Sequence, residues 1–296
     1  MMCGGAMPDK QPTREAQMNN KEIIDALKNN SGDMFSFLCR HLVCLAGTYQ
    51  PLDANGEPIG QVQPFLHPGW ILSIRDTWCL VTAGHILRDL DERLNSKRIG
   101  LTGCILVDSL GPDAVSPLHI PFDYQRQSKF YILDDEAGLD FGLIALSPYY
   151  RSLLEVNNIL PVTEKDWQYQ DQLEFGQYMM LGFPVKLREI QSPRNDSIPV
   201  SLYPTVIWVT KLENPPDDWP DTTYPRFVGK LSDEFPLDDI VGMSGGPIFG
   251  FGKEGDRYWI VAVQSSWLRE RKITFGCPVP VFARLIENMI SDTPNS

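Results

Sequence analysis

Nowhere in its 296 residues does the chain hold a run of about 18 apolar residues, which excludes a helical membrane span. Its first ten residues, Met1 to Lys10, lack the apolar stretch a secretory leader needs, so the expected location is the cytoplasm, with no membrane partner. Basic side chains are few. Twenty-six Lys and Arg stand against 38 Asp and Glu, a formal charge of −12, which argues against a phosphate-gripping surface for nucleic acid. Cationic partners are easier to accommodate. Cysteine is sparse too: Cys3, Cys39, Cys44, Cys79, Cys104 and Cys277 are scattered through a chain long enough to build its own core. Reduced, buried thiols are expected rather than a disulfide framework. A metal site at Cys39, His41 and Cys44 fails on geometry, because Leu38–Leu45 reads as a strand with Cys44 on the face opposite Cys39 and His41.

Internal repeats are missing, and long helical periodicity is absent until the end of the chain. What is present instead is a series of short apolar segments rich in β-branched and aromatic residues, separated by Gly, Pro, Asn and Asp. Strands are predicted over 36–46, 69–75, 78–83, 101–107, 141–146, 177–182, 205–211, 247–251 and 258–265. A helix is predicted over 280–290, where positions 282, 285, 286 and 289 line one face. Near the start, Asn20 can cap a short helix carrying Ile23, Ile24 and Leu27, which ends at Asn29–Gly32. The expected fold class is therefore all-β with one terminal helix. Its organisation divides into an extension (1–34), a first strand-rich half (35–150), a second (151–280, opening on a short helix near 150–157) and a closing helix (281–296). Between Glu213 and Asp239 eight acidic residues face two basic ones, so half of the net charge sits just ahead of a glycine-rich turn.

Three motifs carry chemistry. Trp78-Cys79-Leu80-Val81-Thr82-Ala83-Gly84-His85 ends an apolar strand on a histidine, which fixes the backbone and exposes an imidazole at the rim, as a general base requires. Leu139-Asp140-Phe141-Gly142-Leu143-Ile144 places a carboxylate at the entry to another strand, where it can accept the Nδ1 proton of a histidine and set its tautomer. Gly242-Met243-Ser244-Gly245-Gly246-Pro247 is a turn that can aim the amides of Gly242 and Ser244 at one point beside a serine hydroxyl. A serine alcohol is a weak nucleophile and needs a base within reach, which His85 can supply. His41, His67 and His119 lack a comparable strand-end context and are expected to be structural or surface residues.

In these residues the chain resembles the chymotrypsin-like, or trypsin-like, serine proteases. Val81–His85 looks like the family's histidine box, Asp140 with its apolar follower like the aspartate box, and Gly242–Pro247 like the serine box, in the family's order His, Asp, Ser. Tyr178–Pro184 is similar to a second-half strand and turn of bacterial members. The resemblance implies two perpendicular six-stranded β-barrels with the site between them. It also implies a serine endopeptidase with catalytic His85, Asp140 and Ser244, an oxyanion hole of Gly242 and Ser244, a protein or peptide substrate, and no metal or organic cofactor. Secreted animal members carry a cysteine where this chain has Ile86, and an aspartate where it has Met243. The pattern is thus closer to bacterial intracellular or high-temperature-requirement proteases.

By the same resemblance Asp238 sits at the floor of the primary specificity pocket, which implies a preference for Arg or Lys. Ser265 to Trp267 would line the cleft, with Trp267 either narrowing the entrance or simply packing on the second barrel. Two rival expectations stand beside the protease: a protease-fold module that binds peptide without cutting it, and a protease gated by a regulatory protein partner docked on the amino-terminal helix.

Overall fold

The computed structural model describes residues 36–167, 175–190 and 200–292, apart from 202, 214, 217, 234, 236, 238 and 254–256. The helix expected near residue 20 lies outside the described residues. In chain order the first half contains β1 (Cys44–Pro51), β2 (Gln63–His67), β3 (Trp70–Ile74), β4 (Thr77–Thr82), helix α1 (Gly84–Asn95), β5 (Ile99–Val107), β6 (Ile120–Pro121), β7 (Lys129–Asp134) and β8 (Leu139–Ala145). Helices α2 (Pro148–Val156) and α3 (Glu164–Trp167) lead to the second half. There follow β9 (Phe175–Gly182), β10 (Glu189–Ile190), β11 (Val200–Ser201), β12 (Thr205–Lys211), β13 (Phe227–Leu231), β14 (Pro247–Gly252), β15 (Tyr258–Leu268), β16 (Ile273–Pro278) and the terminal helix α4 (Val279–Asp292).

The second half closes into a six-stranded barrel in the order β12-β13-β16-β15-β14-β9. The first half is hydrogen-bonded as two antiparallel four-stranded sheets, β2-β1-β5-β6 and β3-β4-β8-β7; just ahead of β1, Leu42 bridges to Trp70 and the Val43 amide donates to the Gly69 carbonyl at 3.0 Å. Hairpin geometry sets the site-bearing registers. Arg75 and Asp76, both at positive φ, form the two-residue link that pairs Ile74 with Thr77 and starts β4. The β7–β8 hairpin pairs Leu133 with Asp140, which seats that carboxylate one residue into its strand.

Period-2 alternation explains why these strands read as almost unbroken apolar runs. Trp70, Leu72, Val81, Phe141 and Leu143 face a core shared with Leu181, Phe249, Val263 and Phe282 of the second half. Ile71, Leu80 and Ile144 face the opposite way, into a core closed by Leu87 and Leu90 of α1 and Leu154 of α2. A third cluster around Met180, Ile207 and Ile248 fills the second barrel. His41 ties the halves together by hydrogen bonds. Its Nδ1 donates to the Leu160 carbonyl at 2.8 Å, which leaves Nε2 to accept from the Tyr258 hydroxyl at 2.7 Å.

Two local expectations are corrected. Residues 36–41 form helical turns rather than the start of a strand, because the Leu42 amide closes back onto the Cys39 carbonyl, and β1 begins only at Cys44. Helical periodicity also occurs well before residue 280: in α1, Ile86, Leu87 and Leu90 are buried on one face. Among the described residues no cluster of three metal-ligating side chains occurs, and no helix is long and apolar enough to cross a membrane.

Candidate active site

The site grows from the end of β4. Thr82 is buried and donates its hydroxyl to the Pro68 carbonyl at 2.8 Å, Ala83 is extended, and α1 begins at Gly84, so His85 stands in the first helical turn. Its neighbour across the sheet is β8, whose antiparallel pairing with β4 brings Thr82 opposite Gly142 and carries Asp140 alongside. Asp140 then makes two bonds to one residue. Its Oδ1 accepts the His85 backbone amide at 2.9 Å, and its Oδ2 lies 2.8 Å from His85 Nδ1. A carboxylate only accepts, so Nδ1 carries the proton and, in the neutral ring, Nε2 is the bare acceptor. The Asp140 side chain is only 11% exposed and that of His85 30%, which leaves the ring open on its far edge. Behind Asp140, burial and then the nearby carboxylate push the Cys277 thiol up to about 12, so it is not a competing nucleophile.

The serine turn packs directly against this strand end. Gly245, at φ +92°, has Thr82 Oγ1, the Pro68 carbonyl and the Ala83 amide where a Cβ would stand, so only glycine permits the approach. Gly245 donates its amide to Gln264 at 2.9 Å and Gly246 accepts the Gln264 amide at the same distance, which locks the turn to β15. Upstream, the Met243 amide donates to the Ile240 carbonyl at 3.0 Å with Gly242 at φ +95°, the signature of a type II turn. Met243 itself is buried in the second-barrel core, an apolar anchor for the turn. Among the described residues the amides of Gly242 and Ser244 donate to no protein acceptor. They are therefore free to serve a ligand oxygen.

Ser244 and His85 open on one cavity of about 350 Å³, whose wall also includes Gly242 and Val241. The Ser244 hydroxyl donates to the Ser265 carbonyl at 3.4 Å rather than to His85. That bond is long, and rotation about one side-chain torsion redirects the hydroxyl; such bonds commonly tighten only when substrate is bound.

The other sequence-predicted residues fare differently. Ser265 is buried, bonding through its hydroxyl to the Phe275 carbonyl at 3.3 Å and through its own carbonyl to Ser244. Trp267 is half-buried and packs against the core of the second barrel. Asp238 lies outside the described residues. His41 is the inter-half tether already described, and His119 is exposed.

His67 is a different matter, because it lines the cavity together with Arg93 and Arg188, which sequence reasoning missed. Arg188 donates to the Phe183 carbonyl at 2.8 Å and to the Gly242 carbonyl at 3.3 Å, buttressing the Gly242 turn from behind. Its position just beyond Tyr178–Pro184 was the one available hint.

No family model matches this chain, and no curated protein matches it. Solved structures do. A thermostable serine protease, AL20, from an extremophilic microorganism aligns over 86% of this chain and 98% of its own at 13% identity and a TM-score of 0.45. The protease Anisep from Arthrobacter nicotinovorans aligns over 81% and 90% at 15% identity and 0.42. A scabies mite inactivated protease paralogue aligns over 87% and 94% at 10% identity and 0.45.

Proposed function

We propose that the chain is a serine endopeptidase acting through His85, Asp140 and Ser244. The observation that carries this reading is that Ser244 and His85 line one cavity, with His85 Nδ1 held 2.8 Å from Asp140 Oδ2. In the proposed reaction Ser244 Oγ attacks the scissile carbonyl carbon as its proton passes to His85 Nε2. The carbonyl oxygen becomes an oxyanion between the Gly242 and Ser244 amides. His85 then gives the proton to the leaving nitrogen, the C–N bond breaks, and water repeats the sequence on the acyl-enzyme. Asp140 touches no reacting atom and is a positioning residue that keeps the ring oriented and supports the imidazolium.

Finer features rest on the sequence alone. The preference for Arg or Lys derives from Asp238, and gating by a protein partner from the amino-terminal helix. Cytoplasmic location and a bacterial origin extend the same resemblance.

The test is labelling by a fluorophosphonate probe, which needs an activated serine. The wild-type chain is expected to be labelled and Ser244→Ala to remain folded and unlabelled. Equal labelling of both would contradict the assignment. A second reading, a module that holds peptides without cutting them, draws on the bond from Ser244 to the Ser265 carbonyl, which turns the hydroxyl away from its base. Turnover of a peptide library by the wild-type chain separates the two.

A further inference from the structure

The cavity beside Ser244 has a charge opposite to that of the molecule. The chain as a whole carries −12, yet the cavity wall includes both Arg93 and Arg188. One carboxylate, Asp89, is also in the wall, but it is engaged by Arg88 at 3.2 Å. Among the described residues neither Arg93 nor Arg188 forms an ion pair. Arg93 lies over the Tyr49 ring, 4.4 Å from its centroid, and Arg188 spends its bonds on two carbonyls. The wall thus holds two arginines against one carboxylate that is already paired, an excess of positive charge that a ligand carboxylate would offset.

The remaining wall is apolar and aromatic. Phe65 stacks on His67 at 5.6 Å, and Tyr49 lies 6.4 Å beyond it. The same wall charges act on His67. Burial first, and then Arg188 and Arg93, pushes its imidazole down to about 4 against the opposing pull of the Asp89 carboxylate, so it stays neutral and adds no charge of its own. The volume of about 350 Å³ is at the lower end of the roughly 300–1,000 Å³ of ligand pockets, large enough for one or two amino-acid residues. Ser265, Ser266 and Trp267 are absent from its wall, so the cavity lies on the flank of Ser244 away from that part of β15.

We propose that this cavity is an anion subsite in which Arg93 and Arg188 take a carboxylate of the bound peptide, an Asp or Glu side chain or a chain terminus, next to the bond that Ser244 attacks. The proposal rests on the peptidase reading and names a substrate preference within it. The overall negative charge does not oppose it, because repulsion between exposed charges is screened beyond about 8 Å at physiological salt, whereas the two guanidinium groups act at contact. Arg188 couples the subsite to the reaction: the guanidinium that would meet the carboxylate also holds the Gly242 carbonyl.

The experiment uses immobilised Ser244→Ala chain and a pool of random octapeptides, with retained peptides read by mass spectrometry, beside cleavage-site profiling of the wild-type chain. Retained peptides should be enriched about tenfold in Asp and Glu over Asn and Gln, as expected for a charged hydrogen bond. The enrichment should vanish in a chain also carrying Arg93→Gln, return in part with Arg93→Lys, and weaken in about 0.5 M salt. Profiled cuts should show acidic residues concentrated on one side of the bond. Equal retention of acidic and amide peptides, retention of neither, or enrichment that survives Arg93→Gln overturns the subsite even if the wild type cuts peptides. Enrichment with no cleavage and no probe labelling would keep the subsite and remove the peptidase.

Discussion

Gly242 shows how much of the site depends on single positions. At φ +95° a side chain is strained, and a Cβ there would stand 2.6 Å from Arg188 Nη2 and 2.8 Å from the Phe183 carbonyl. Gly242→Ala is therefore expected to rotate the turn and displace one oxyanion donor. Fluorophosphonate labelling should slow by about 10²- to 10³-fold, the usual cost of losing such a donor, with about 1–3 kcal/mol of stability lost to backbone strain. Labelling kinetics and urea titration measure the two effects separately. At this scale the sequence was informative wherever chemistry demanded a residue type: His85, Asp140, Ser244 and Gly242 could all be named from short motifs. Arg93, Arg188 and His67 could not, because their role follows from sharing a wall, and no local pattern distinguishes them from ordinary surface or core residues.

At the scale of elements, β8 and α4 show how the site is braced from behind. Phe141, the strand neighbour of Asp140, is fully buried and stacks on Phe282 of the terminal helix at 4.7 Å and an interplanar angle of 17°. Phe282→Ala should cost about 3–5 kcal/mol, measured by denaturant titration, because the site between two packed layers cannot collapse to fill the space. Strands dense in β-branched and aromatic residues were legible, as was α4. Others were not. β2 contains Pro64, tolerable only because the strand is an edge, and β13 and β16 contain glycine and polar residues whose strand conformation is imposed by barrel neighbours on both sides. Helix α1 was hidden by its many charges, which leave only a narrow apolar face of Ile86, Leu87 and Leu90.

For the whole molecule two histidines, His41 and His67, predict how acid acts. His41, which joins the halves, is held below the ordinary imidazole value mainly by burial, and His67 is held at about 4. As pH falls below about 6.5 the unfolded chain takes up protons on these rings while the folded chain does not, so stability falls. The decline attributable to His67 should run from pH about 6.5 to about 4, with a slope of at most roughly 1.4 kcal/mol per pH unit, and level off below. Urea midpoints measured across that range should drop less steeply for His67→Gln than for the wild type. An unchanged slope would show that the ring is solvated in the folded state.

The amino-acid sequence by itself determined the all-β character and the terminal helix and singled out His85, Asp140 and Ser244 as candidates, because strand periodicity, turn chemistry and nucleophile chemistry are local requirements. Only the tertiary structure decided that Asp140 meets His85, that the serine turn closes on the end of β4, and that Arg93 and Arg188 line one cavity with Ser244. Those relations depend on sheet register and on contacts between halves more than a hundred residues apart, which no local pattern encodes.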